Sequence, residues 1–217
     1  MSEGKSSIVT FVNPFSYEVL KNSKISVSKF DFILCDGALL QKLYKIKFGE
    51  DIPRISFDYS SIAGDVFQMC EESNLKVALM GGTEGEINLA IENIKNKYSS
   101  VDIVYCSHGH FSSDEKLKNA IYKLAEKRPN VVIFGMGTPF QEYALEMYST
   151  VSKVPFIGFS CGGFITQTSL RSDYYYPIVK KLGLRWVQRF VMHSHVRKRV
   201  VKYYPKFIVK YLLGSIN

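Results

Sequence analysis

Four cysteines, Cys35, Cys70, Cys106 and Cys161, lie far apart among 217 residues, and no C-x-x-C pair occurs. That scarcity argues against a zinc site or a disulfide frame and for reduced thiols. Nowhere does the chain carry the roughly 20 apolar residues that a membrane-crossing helix needs. The opening M-S-E-G-K-S-S leads into only a short apolar run, so no signal peptide is expected. Neither nucleotide fingerprint is intact: there is no G-x-G-x-x-G with a following acid and no G-x-x-x-x-G-K-[ST]. A dehydrogenase or a P-loop NTPase is therefore disfavoured. D-x-D is missing too, and His108 and His110 bracket a glycine without a third ligand, so no metal and no other cofactor is expected.

The last absence is of acid. Between Tyr174 and Asn217 there are ten Lys/Arg and no Asp or Glu, whereas the first 173 residues hold 18 basic and 20 acidic groups. The body is thus −2 and the tail +10, so the whole net charge of +8 belongs to the C-terminal fifth. Such a block faces something anionic: a phospholipid surface, a pyrophosphate or nucleic acid.

What is present is organised around V-V-I-F-G-M-G-T-P-F-Q-E, Val131 to Glu142. Four apolar residues bounded by glycines read as a strand buried on both faces of a parallel sheet. Gly135 and Gly137 let the backbone turn sharply and approach a ligand. Thr138 is expected to cap the next helix with Pro139 at its first position, leaving Gln141 and Glu142 in the first turn. A glycine turn feeding a helix start offers free N–H groups to an anion such as a diphosphate.

Elsewhere apolar runs at Ser7–Val12, Phe30–Leu34, Lys76–Met80, Val101–Cys106 and Pro155–Phe159 alternate with helical spacing, as over Ala38–Phe48 and Asp114–Lys127. That alternation predicts an α/β fold, a Rossmann-like, mostly parallel sheet flanked by helices, over 1–183, with a basic helical appendage at 184–217. Asp36-Gly37, Gly81-Gly82-Thr83, Gly109, Gly135-Met136-Gly137 and Gly162-Gly163 each follow an apolar run. On parallel strands, five such ends outline one crevice.

The D-G at Asp36, the G-G-T at Gly81, the G-M-G-T-P-F-Q-E block and the late G-L-R-W-V-Q-R-F, in this order and spacing, resemble the WecG/TagA/CpsF family, glycosyltransferase family 26. The resemblance covers roughly residues 7 to 200. It implies inverting transfer from a UDP-sugar onto a polyprenyl-pyrophosphate-linked saccharide, at the cytoplasmic face of the membrane, in cell-surface polysaccharide synthesis. Donors of such enzymes include UDP-N-acetylmannosamine, its uronic acid, and UDP-glucuronic acid or UDP-glucose. Asp36 matches the acidic residue assigned as general base. Thr10, Asn13, Arg54 and Arg171 match acceptor-side positions, with Arg185, Arg189, Arg197 and Arg199 placed to clamp the acceptor's pyrophosphate. Gly81, Gly82, Gly135, Gly137, Gln141 and Glu142 match the donor block. Departures occur at Phe140, where Lys is common, and between Gly163 and Arg171.

In the tail, Lys198, Lys202, Lys206 and Lys210 recur every four residues beside an apolar stripe of Val196, Val200, Tyr203, Phe207 and Tyr211. Pro205 should divide this helix. A basic face beside an aromatic face suits an anionic membrane surface; the other reading packs the stripe on the protein's own core or in a homo-oligomer. Nucleic acid is not expected as a partner, because the body is slightly acidic. A non-catalytic nucleotide-sugar-binding protein is the remaining alternative, and Asp36 discriminates, since binding alone needs no base.

Overall fold

The computed structural model describes residues 4–170, 179, 185–192 and 194–214. Six strands form one all-parallel sheet: β1 (Ser7–Val12), β2 (Phe32–Cys35), β3 (Lys76–Gly81), β4 (Asp102–Ser107), β5 (Val131–Gly135) and β6 (Ile157–Ser160), in the order β2-β1-β6-β5-β3-β4. The α/β, Rossmann-like architecture read from the alternation is the one observed.

Successive side chains of a strand point to opposite faces, and the core divides accordingly. Val77, Leu79, Val131 and Ile133 face one layer, packed with α3 (Ala63–Glu72), α4 (Glu84–Lys97) and α7 (Phe164–Leu170). Ala78, Met80, Val132 and Phe134 face the other, packed with α5 (Asp114–Glu126) and α6 (Phe140–Val151). Hence β3 and β5 read as unbroken apolar runs rather than alternating ones.

Local chemistry sets the helix starts beside the strand ends. Asn13 caps α1 (Pro14–Lys21): its Oδ1 accepts from the Phe15 and Ser16 amides at 3.0 and 3.1 Å, while Ser16 Oγ accepts from the Asn13 amide. Thr83 and Glu86 make the same reciprocal box on α4. At α6 the expectation needs correction. The helix begins at Phe140 with Pro139 as its cap residue, and no side chain caps it. Thr138 Oγ1 instead donates to Glu142, because Gly137 O already accepts the Gln141 amide at 3.0 Å.

The basic C-terminal segment is helical: α8 (Arg185–Met192), α9 (Ser194–Lys202) and α10 (Tyr204–Leu212). Pro205 does divide it, sitting in the first turn of α10, where its missing N–H costs nothing. The end of the aromatic stripe packs on the protein itself. Phe207 and Tyr211 join Val12, Leu20, Cys35, Leu40 and Leu43 in a third core between α1, α10 and α2 (Ala38–Phe48). Lys210 Nζ meets Glu18 of α1 at 2.5 Å. Among the described residues, no helix is long and apolar enough to cross a membrane.

Candidate active site

The C-terminal ends of the strands border a cleft of about 310 Å³, at the low end of the size range of small-molecule sites. Asp36, Gly82, Gly109, Gly135, Met136, Gly137, Gly162 and Gly163 line it, so the five glycine-bearing strand ends do share one crevice. At Gly81, just behind it, a Cβ would come within 2.4 Å of the Gly135 carbonyl oxygen. This close approach of β3 to β5 is what excludes a side chain there.

Asp36 stands at the β2 end of the cleft. Its amide donates to Val12 O at 2.8 Å, and Cys35 O accepts the Ile55 amide at 2.9 Å, which lays the 52–58 segment against it. Arg54 Nη2 consequently lies 3.1 Å from Asp36 Oδ1, 3.0 Å from Ser56 Oγ and 3.6 Å from Asp58 Oδ2. Asp58 is buried and accepts from the Ser60 amide and hydroxyl and from Ser56 Oγ. Burial works to raise Asp58, but those hydrogen bonds and the guanidinium outweigh it and hold the carboxyl below the usual carboxylate range. The corner is therefore a fixed anion beneath a guanidinium that orients Asp36 towards the cleft. Arg54, expected at phosphate or sugar, is engaged by these two carboxylates. Asp58 and Ser56 were missed; the alternation of Ser56, Asp58 and Ser60 with Ile55, Phe57 and Tyr59 after Arg54 was the available signal.

Thr10 and Glu142 prove to be interior. Neither lines the cleft, and both are 0% exposed. Thr10 Oγ1 donates to Glu142 Oε1 at 2.9 Å and lies 2.8 Å from Ser160 Oγ, tying β1 to β6 and α6. Gln141 Nε2 donates to the same Glu142 oxygen at 2.8 Å, while Gln141 Oε1 accepts the Gly162 amide at 3.1 Å. Thr10 and Glu142, expected at acceptor and donor, form a buried brace in this structure. It pins the β5–α6 turn to the β6–α7 turn, and only Gln141 of this group reaches the cleft together with Ser160.

Glu142 Oε2 has no partner among the described residues. Burial pushes its carboxyl above the usual range, by more than the donors Gln141, Thr10 and Thr138 pull it down. A carboxyl raised in the folded state favours folding fully below its unfolded pKa of about 4.3. That contribution is lost as pH rises through the folded value. The Glu142→Gln variant, which cannot ionise, should therefore gain melting temperature relative to the parent between pH 4 and pH 8. A gap that stays constant across that range would show that Glu142 does not titrate on folding.

The remaining expected residues fall as follows. Asn13 borders the cleft, but its Oδ1 serves the α1 cap. Arg197 Nη1 donates to the Phe190 and Val191 carbonyls at 3.3 and 2.8 Å, closing the end of α8 rather than reaching the cleft. Arg171 and the side chains of Arg185, Arg189 and Arg199 lie outside the described residues. Phe15 lines the cleft without having been singled out, and Phe164 and Gln167, from the stretch that departs from the family pattern, line it too. The α7 helix that carries two of them was not foreseen, because T-Q-T-S shows no apolar period.

The profile of the glycosyl transferase WecG/TagA/CpsF family matches residues 1–217. The chain belongs to that family. It is a glycosyltransferase. It is similar to a UDP-Gal:alpha-D-GlcNAc-diphosphoundecaprenol beta-1,4-galactosyltransferase of Shigella boydii, 42% identical over 209 residues, which span 96% of this chain and 87% of that one. It is also similar to an N-acetylglucosaminyldiphosphoundecaprenol N-acetyl-beta-D-mannosaminyltransferase of Bacillus spizizenii, 24% identical over 156 residues, 68% of this chain and 57% of that one. The Asp36 corner and the Gly135–Glu142 turn are accordingly parts of a glycosyltransferase chain.

Proposed function

We propose that this glycosyltransferase moves galactose from UDP-galactose onto N-acetylglucosamine linked through diphosphate to undecaprenol, forming a β bond. The printed activity of the relative from Shigella boydii supports that choice of donor and acceptor. The observation that carries the mechanism is Asp36, at a strand end on the cleft wall, oriented by Arg54.

A β product from an α-linked donor means a single displacement with inversion, which needs one base. The Asp36 carboxylate takes the proton of the attacking GlcNAc hydroxyl. The hydroxyl oxygen bonds to galactose C1 as the bond from C1 to the UDP oxygen breaks, and UDP leaves with that electron pair. Arg54, held also by Asp58 and Ser56, keeps the carboxylate in place from behind.

No metal enters this scheme. Backbone N–H groups of the Gly135–Thr138 turn and the basic C-terminal segment supply positive potential instead. Transfer should consequently persist, within about twofold, after exhaustive chelation with EDTA. Loss of activity restored by a divalent cation would overturn that part of the reading.

The acceptor is a lipid, and the reading places the enzyme on the inner face of the cell membrane. Lys198, Lys202 and Lys206 remain exposed, as do Val201, Val209 and Leu212 on the same helices and Leu213 at the end of α10. Each surface cation contributes about 1 kcal/mol on anionic lipid. The experiment is a donor panel: purified protein, GlcNAc-diphospho-lipid and each of several UDP-sugars. UDP-galactose should give the fastest release of UDP. Preference for another donor would reassign the sugar, and no release with any donor would refute the proposal.

A further inference from the structure

Asp58 is anchored on two sides. Its backbone oxygen accepts the Ser61 and Ala63 amides at 3.0 and 3.2 Å, at the start of α3. Its Oδ1 accepts the Ser60 amide at 2.8 Å and the Ser60 hydroxyl, while Oδ2 faces Ser56 Oγ at 2.9 Å and Arg54 Nη2 at 3.6 Å. Next to it, Phe57 is buried, its ring 5.2 Å from that of Phe164, so the segment is fixed in the core as well. One guanidinium nitrogen thus stands between two carboxylates, 3.1 Å from Asp36 and 3.6 Å from Asp58. All three side chains are at most 22% exposed, so water screens these charges only in part.

That arrangement bears on catalysis. A carboxylate paired with an arginine stays ionised but becomes a weaker base, its pKa falling by about 1–3 units. Proton transfer from a sugar hydroxyl follows base strength, so an arginine serving Asp36 alone would slow the reaction. A second carboxylate on the same guanidinium offsets this and leaves the orienting hydrogen bond in place. Few other charges stand near. Burial, and then the Asp36 charge, push the neighbouring Cys35 thiol up to about 11, so it stays neutral. From β1 and α1 the cleft receives Phe11, Asn13, Phe15 and Ser16, none of them charged. Glu86 and His110 line it from the β3 and β4 side, at the other end of the sheet.

We propose that Asp58 is a positioning residue that takes up part of the Arg54 charge, so that Asp36 keeps its orientation without losing its strength as a base. The inference rests on the reading of Asp36 as the general base.

The pH dependence of kcat tests it, on the full chain with saturating UDP-galactose and GlcNAc-diphospho-lipid. Asp58→Asn keeps the size and an oxygen for Ser60 but loses the charge, so Asp36 faces the guanidinium alone and becomes more acidic. The acid limb should move down by about one pH unit and the plateau should fall roughly three- to tenfold, with the KM for UDP-galactose unchanged. A purely structural loss would lower the plateau without moving the limb. Asp58→Glu, which keeps the charge, should leave the limb where the parent has it. Arg54→Gln should move the limb up, because Asp58 then repels Asp36 uncompensated, and Arg54→Gln/Asp58→Asn should bring it back. That second pair reports on Asp58 even if Asp58→Asn alone melts too low to assay. A limb that stays or rises in Asp58→Asn, or that is the same in Arg54→Gln and the double variant, overturns the proposal while Asp36 remains the base. A parent profile with no acid limb, together with transfer that survives Asp36→Asn, overturns both.

Discussion

Replacing Asp36 with Asn should leave the fold and UDP affinity intact and lower the rate of transfer by roughly 10²–10⁴-fold, the usual contribution of a positioned base. Asparagine keeps the size and one oxygen for Arg54, and the guanidinium retains Asp58 and Ser56, so the corner has no reason to rearrange. What the amide cannot do is accept the proton of the acceptor hydroxyl. The loss should therefore fall on kcat, with the KM for UDP-sugar little changed. Near-full turnover in a folded Asp36→Asn protein would remove the base assignment. A matching loss of UDP affinity would mean instead that Asp36 holds the donor.

The second large effect is on stability. Phe207 is fully buried, and its ring packs edge-on against Tyr17 at 5.8 Å and beside Tyr211 at 5.4 Å. Phe207→Ala should cost roughly 3–5 kcal/mol, the range for deleting a buried aromatic ring. For a chain of this size each kcal/mol lowers the melting temperature by about 2–4 °C. Leu213→Ala, at an exposed site, should stay within about 0.5 kcal/mol yet reduce sedimentation with anionic vesicles. If Phe207→Ala melts like the parent, α10 is not part of the core. Unchanged vesicle sedimentation of Leu213→Ala would move the membrane contact away from the end of α10.

That contrast shows where sequence reading reached its limit. The period of the stripe identified Phe207 and Tyr211 as apolar-face residues, but periodicity says nothing of what covers a face. The partners are α1, some 190 residues away in the chain as the Lys210–Glu18 pair also shows, and α2. Strands β3 and β5 were legible because burial on both faces demands unbroken apolar runs. The crevice was legible because glycines mark the strand ends that converge on it. Thr10 and Glu142 were recognisable as special, but not as partners of each other. Their hydrogen bond joins residues 132 apart, and no local pattern distinguishes a polar group facing a ligand from one satisfied in the interior. Arg54 is the same case: its neighbours in sequence gave its surroundings, and only the fold showed that Asp36 and Asp58 hold it.

The most direct test of the central claim is the configuration of the product. Full-length protein incubated with UDP-galactose and GlcNAc-diphospho-lipid should release one UDP per galactose transferred. Nuclear magnetic resonance of the isolated product should show a β-galactosyl bond to GlcNAc, as a single displacement assisted by one carboxylate requires. An α-linked product would contradict the account, because retention cannot arise from one base acting on one inversion. UDP release without any galactosyl lipid would contradict it as well.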